Sequence, residues 1–324
     1  MVLSFNFHRK FLVRFIFVAV LGLIAGGFLV FCLKKEILPL GLNWEGREFV
    51  PARRDLAEKK FVLPTVIPPT PTITPTITST PTLTPQQIAE IQRIKFEEFN
   101  QKYGPCRLVP ILMYHHVMDV AAAKAIGASG LNVPPKIFQE QMDYLQQKGY
   151  QVIDLDEMLA GIKNNSLPKK AVVLTFDDGY RDFYANAYPV LKEKNFKATL
   201  FVISQYVGGE RYVSWEQLRE MMASGLVLLG DHTLNHPSLP SLSKEQEFNQ
   251  IVSAKKIIEE NTGAKVSFFA YPYGSSNANA KQVLKENGFL GAVTTVPGET
   301  QCLGLPYDWQ RIRIGAASLS RYGL

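Results

Sequence analysis

Residues 172–179 read Val-Val-Leu-Thr-Phe-Asp-Asp-Gly. A short apolar strand, 172–176, ends there on two adjacent carboxylates and a turn glycine. Units of this kind recur along the chain. Apolar strands are predicted at 109–114, 198–203, 227–229, 267–271, 291–294 and 311–314, with helical patterns at 138–148, 188–195, 215–224, 244–262 and 280–287. Strand-then-helix repetition predicts a parallel sheet, open or closed. The size of the region suits a single α/β domain, a distorted (β/α) barrel, and no second core or internal repeat stands out.

The chain has five histidines, and His8 sits in a basic N-terminal tail. The other four form two groups, His115-His116 and His232-x-x-x-His236, each following a predicted strand. Asp177-Asp178 follows its own strand in the same way. Parallel β/α folds collect their active sites at the carboxyl ends of the strands. Taken singly, Asp-Asp-Gly is an ordinary turn sequence and a histidine pair an ordinary surface feature. Together, two imidazoles and one carboxylate make a facial set that leaves metal positions open for water and substrate. The second carboxylate is then free to act as a general base.

These residues resemble a known family. Thr175-Phe176-Asp177-Asp178-Gly179 resembles the first motif of polysaccharide deacetylases, the NodB-like carbohydrate esterases. His232-Thr233-Leu234-Asn235-His236-Pro237 resembles their second, and Tyr271-Pro272-Tyr273-Gly274 the end of their third. The likeness runs from Val109 to about Ile314. It implies a deacetylase-type barrel with Asp177 as base and Asp178, His232 and His236 as ligands of a divalent metal, zinc being expected. It also implies that Tyr271, Pro272 and Tyr273 contact substrate, with the Tyr273 backbone N–H helping to hold the oxyanion.

The pattern is not complete. Ala270 stands where the third motif has an arginine that orients the base, leaving Arg311 or Arg313 to supply the cation. Asp231 precedes the first metal histidine, as a partner that orients His232 or as a solvated turn residue. No histidine follows His236, so the C-terminal motif that provides the general acid is missing. The opening strand, Pro110-Ile111-Leu112-Met113-Tyr114-His115-His116, is its candidate replacement. The residues alone leave His115 and His116 both open. The resemblance, to a branch that includes extracellular poly-N-acetylglucosamine deacetylases, aligns the acid with His115.

Residues 15–33 are apolar and uncharged. At about 1.5 Å per residue they just span a hydrocarbon core of about 30 Å. They end Phe31-Cys32-Leu33, followed by Lys34-Lys35, rather than on a small-x-small site, which favours an uncleaved anchor over a signal peptide. Residues 64–85 are almost wholly Thr and Pro, an extended spacer typical of surface proteins. The expected organisation is a cytoplasmic tail and anchor (1–36), a linker with the stalk (37–85), a lead-in helix (86–104) and a catalytic domain (105–324) outside the cytoplasm. The net charge of +6 forms no basic run in the soluble part, so nucleic acid is not an expected partner. Cys106 and Cys302 are either bridged or separate thiols. The expected reaction is removal of N-acetyl groups from N-acetylglucosamine units of an envelope or exported polysaccharide, poly-N-acetylglucosamine or peptidoglycan. The alternatives are a non-catalytic glycan-binding module and a deacetylase of another glycan such as xylan.

Overall fold

A computed structural model describes residues 84–324. The expected anchor (15–33) and nearly all of the stalk lie outside the described residues. Among the described residues, no helix is long and apolar enough to cross a membrane.

The strands are β1 (Cys106–Leu108), β2 (Ile111–Tyr114), β3 (Gln151–Ile153), β4 (Ala171–Phe176), β5 (Ala198–Val202), β6 (Val227–Asp231), β7 (Phe268–Ala270), β8 (Gly291–Pro297), β9 (Thr300–Cys302) and β10 (Trp309–Arg313). Seven of them form a parallel sheet in the order β2-β10-β8-β7-β6-β5-β4, and β4 pairs back onto β2 to close a barrel. These are the seven predicted strands. The helices are α1 (Pro85–Tyr103), α2 (Val120–Ala125), α3 (Pro135–Gln147), α4 (Leu155–Asn164), α5 (Tyr188–Lys194), α6 (Trp215–Ala223), α7 (Lys244–Thr262) and α8 (Ala278–Glu286).

Several pieces were not foreseen, the short α2 among them. β3 joins the N-terminal half of β4, and α4 follows it. β1 and β9 form a separate antiparallel ribbon, in whose register Cys106 faces Cys302. The two cysteines are joined by a disulfide, which decides between the two states the sequence left open.

Period-two alternation sorts each strand into two faces. Ile111, Val173, Phe201, Phe268, Ala270, Val293 and Trp309 belong to one core cluster together with Leu155, Met158 and Ile162 of α4. Their neighbours Leu112, Val172, Leu174, Leu200, Leu229 and Phe269 belong to a larger cluster with α3, α6, α7 and α8. Helix starts follow local chemistry. Capping boxes at Asp154/Glu157, Ser214/Gln217 and Ser243/Gln246 satisfy the first free N–H groups of α4, α6 and α7.

Candidate active site

β4 ends in a sharp turn, with Asp178 at φ 74° and Gly179 at φ 76°. A β-carbon on Gly179 would lie 3.0 Å from Val202 Cγ1, so both the backbone and the space there suit glycine. The turn brings the buried Asp178 carboxylate to the ends of β4 and β6. Its Oδ1 lies 3.3 Å from His232 Nε2 and 3.5 Å from His236 Nε2. One donor atom from each of the three side chains falls within 4.8 Å of the others.

The His232 Nδ1 lies 2.7 Å from the Ala270 carbonyl, which only accepts, so Nδ1–H donates and the Nε2 lone pair faces Asp178. Asp178 Oδ1 is buried and has no hydrogen-bond partner. A lone pair aimed at an unpartnered carboxylate oxygen is the arrangement a cation satisfies, and this donor set fits a divalent metal. Burial opposes charge on Asp178, but the imidazoles of His232, His115 and His236 around it hold its carboxyl well below the usual range.

His236 sits in a constrained loop. Thr233 and His236 both have left-handed backbones, φ 70° and 65°, a real strain for a β-branched threonine. Side chains hold it: Asp231 Oδ1 accepts the Thr233 N–H at 2.7 Å and Thr233 Oγ1 accepts the His236 N–H at 2.9 Å. Gln250 Oε1 accepts the N–H groups of Leu234 and Asn235. Both expectations for Asp231 are therefore corrected. It is neither solvated nor the partner of His232, because it is fully buried and turned to its own loop. Burial pushes its carboxyl well above the ordinary value.

Asp177 is held differently. The Arg311 guanidinium donates to both of its oxygens at 2.7 Å, and also to Thr175 Oγ1 at 3.2 Å and the Thr294 carbonyl at 2.8 Å. Arg311 is 1% exposed, whereas Arg313 is exposed. Arg311 thus supplies the cation that Ala270 lacks. Burial would raise the Asp177 pKa, but Arg311, with smaller help from His232 and His115, keeps it below the ordinary value.

His115 Nε2 lies 4.0 Å from Asp177 Oδ2. Burial lowers its pKa more than Asp177 and Asp178 raise it. His116 points elsewhere, as alternation requires. Its Nδ1 is 2.8 Å from Asp182 Oδ2, and its ring stacks on Tyr180 with centroids 3.7 Å apart.

The third-motif residues divide. Tyr271 is 1% exposed and packs edge-on against Phe269, and Pro272 is buried. Neither side chain faces the cleft, which corrects the expectation that both contact substrate. Tyr273 does face it, 67% exposed, with a left-handed backbone (φ 59°) and its ring centroid 4.7 Å from that of His236. The cleft, of about 170 Å³, is lined by Asp178, His236 and Tyr273 together with Tyr180, Tyr206, Tyr212 and Asn235. None of the last four was given a role from the sequence, although Asn235 lies within the second motif. The tyrosines flanking a glycine-rich turn at 206–212 were the available signal.

A family profile described as polysaccharide deacetylase matches residues 164–292. The chain is 32% identical over 211 residues to the putative polysaccharide deacetylase YxkH of Bacillus subtilis, covering 65% of this chain and 72% of the relative. It is 30% identical over 164 residues to the poly-beta-1,6-N-acetyl-D-glucosamine N-deacetylase of Staphylococcus aureus, covering 47% of this chain and 57% of that protein. Among solved structures, the Streptococcus pyogenes deacetylase PplD in complex with acetate superposes with a TM-score of 0.59 at 32% identity, covering 64% of this chain and 92% of that one.

Proposed function

Because this chain belongs to the polysaccharide deacetylase family, we propose that it hydrolyses N-acetyl groups on N-acetylglucosamine units of an envelope or exported polysaccharide. The observation that carries this reading is the convergence of Asp177, bound to Arg311, with His115 and the Asp178–His232–His236 set at one mouth. An alanine at 270 in place of the motif arginine would favour a non-catalytic module, and the Arg311–Asp177 contact removes that argument. Poly-N-acetylglucosamine is the preferred polymer, supported by the named activity of the S. aureus relative and by the histidine strand at the front of the domain.

In the proposed reaction water attacks the amide carbonyl, the C–N bond breaks, and acetate and a free amine leave. Asp178, His232 and His236 would hold a divalent metal, zinc being the expected ion. When bound, the metal polarises the carbonyl and acidifies water. Asp177, ionised and fixed by Arg311, accepts a proton from the attacking water. The Tyr273 backbone N–H shares the charge developing on the carbonyl oxygen. His115 delivers a proton to the departing nitrogen, which leaves poorly as an anion. His232 and His236 are committed to the metal, so His115 is the imidazole left at the mouth.

The domain is further proposed to work outside the cytoplasm, anchored through residues 15–33. The buried Cys106–Cys302 disulfide supports this, because reducing compartments keep thiols apart. Protease added to intact cells should then release the domain, and complete protection until lysis would reverse the topology.

The direct test is to incubate the full chain with poly-N-acetylglucosamine, peptidoglycan and acetylated xylan, assaying acetate with and without a chelator. Acetate from the amino-sugar polymers, abolished by chelation, is expected. Acetate from xylan alone would overturn the substrate assignment.

A further inference from the structure

Hydrolysis leaves a row of aromatic rings beside the triad without a role. The buried His116 ring stacks on Tyr180, Tyr180 on Tyr212 (centroids 5.3 Å apart), and Tyr212 contacts Tyr206 (5.1 Å). The row starts in the interior, where Asp182 fixes His116, and ends on Tyr206, 36% exposed. Core packing does not need the outer rings, since neither Tyr206 nor Tyr212 belongs to a buried cluster.

The loop that carries them is already fixed. Gly209 donates to the Tyr206 carbonyl, Tyr212 to that of Gly209, and Gly208 to that of Val213. Ser204 and Gln205 donate to the carbonyls of Thr233 and Leu234 in the metal-histidine loop, and the Tyr206 hydroxyl donates to the Asn235 carbonyl at 3.2 Å. An aromatic surface ordered in advance loses little entropy when a ligand settles on it. It opens into the cleft that contains Asp178 and His236.

A pyranose with equatorial substituents has apolar C–H faces and a polar rim. A tyrosine offers the matching pair, an apolar face and a polar tip. The geometry points to a glycan subsite in which Tyr206 and Tyr212 stack on the sugar next to the unit being deacetylated. The assignment rests on the deacetylase reading and makes chain length a determinant of specificity. Tyr180 adjoins the triad, and the two outer rings lie one and two stacking steps beyond it. A lone sugar with its acetyl group at Asp178 leaves them bare.

The test compares wild type with Tyr206→Ala, Tyr212→Ala and Tyr212→Phe on N-acetylglucosamine monomer and pentamer. Each alanine variant should lose about tenfold in kcat/KM on the pentamer, carried by KM, the worth of one stacked ring. The monomer, which cannot reach the two rings, should be unaffected, and Tyr212→Phe should act on the pentamer close to wild type. Pentamer binding by calorimetry separates this subsite from the reaction. A wild type that binds pentamer but releases no acetate, with alanine variants that bind more weakly, keeps the subsite and removes the proposed reaction. Alanine variants that match wild type at both lengths, or lose equally at both, overturn the subsite while the reaction stands. A wild type that fails to bind pentamer also overturns it.

Discussion

Arg311 on β10 grips Asp177 at the end of β4 through two hydrogen bonds of 2.7 Å, although 134 residues separate them. In the family pattern the arginine that orients the base stands where Ala270 is, on β7. β10 lies two strands along in the same barrel, so a cation can reach one point from either stave. Position in space is kept while position in sequence is not. The planar guanidinium fork suits this task because it fixes both carboxylate oxygens at once.

Removing that fork should show in the pH profile. Burial raises the Asp177 pKa, and Arg311 is the main force holding it down. In Arg311→Met burial wins, the base stays protonated to higher pH, and the acid limb of kcat/KM moves upward. Arg311→Lys keeps the charge without the fork and should shift the limb less. The Met variant should also lose about 3–5 kcal/mol of stability, because it strands a buried charge. Thermal unfolding and pH–rate profiles measure both. An unmoved acid limb would mean that Asp177 is not the titrating base.

The two adjacent histidines should separate cleanly. His115→Ala should lower kcat by about 10²–10⁴ while metal content stays at the wild-type level. Burial holds the His115 pKa below the ordinary imidazole value. An acid must be protonated to act, so the wild-type alkaline limb should begin on the low side of that value and vanish in His115→Ala. His116→Ala should keep that limb and instead lose stability, since it breaks a buried contact to Asp182 and a ring stack. If the limb vanishes in His116→Ala, the roles are reversed.

Asp177 and Asp178 are neighbours for which different tasks are proposed, and metal analysis after dialysis tests the division. Asp178→Asn should lose bound metal, because its Oδ1 faces both imidazole nitrogens. Asp177→Asn should keep the metal and lose about 10²–10⁴ in turnover. His232→Ala should behave like Asp178→Asn. Equal metal loss in both Asp variants would merge the two roles.

Much of this arrangement was legible because its signals are local. Each barrel strand is an apolar run between turn residues, and the paired carboxylates and the His-x-x-x-His spacing are visible without a partner. β3 is only Gln151-Val152-Ile153, too short to show a period, and the α4 that follows it was not predicted either. Arg311 and Arg313 sit on the same face of β10, so alternation alone could not choose between them. Depth decided: Arg311 lies level with the interior and Arg313 beyond it. Tyr271 misled because a motif names residues without saying which way they face, and it turns outward beside Phe269. The stacked tyrosines were hidden because 180 and 206 meet through Tyr212 only after β4 and β5 pair.

The Cys106–Cys302 disulfide should be a stability device separable from catalysis. It joins positions 196 residues apart and so encloses nearly the whole barrel in one covalent loop. Closing a loop of that length removes unfolded-state entropy worth up to about 5 kcal/mol, while measured gains are typically about 2–4. For a domain of this size that corresponds to a fall on the order of 10 °C in Tm when the bond is absent. The ribbon enters β2 at Ile111, the end opposite His115, so the mouth of the barrel does not depend on it. The Cys106→Ser/Cys302→Ser protein should therefore unfold at lower temperature while kcat at 25 °C stays close to wild type. Wild type in reductant should behave alike once thiol titration shows both sulfurs free. An unchanged Tm with both thiols free would show that the ribbon holds the chain without its covalent bond.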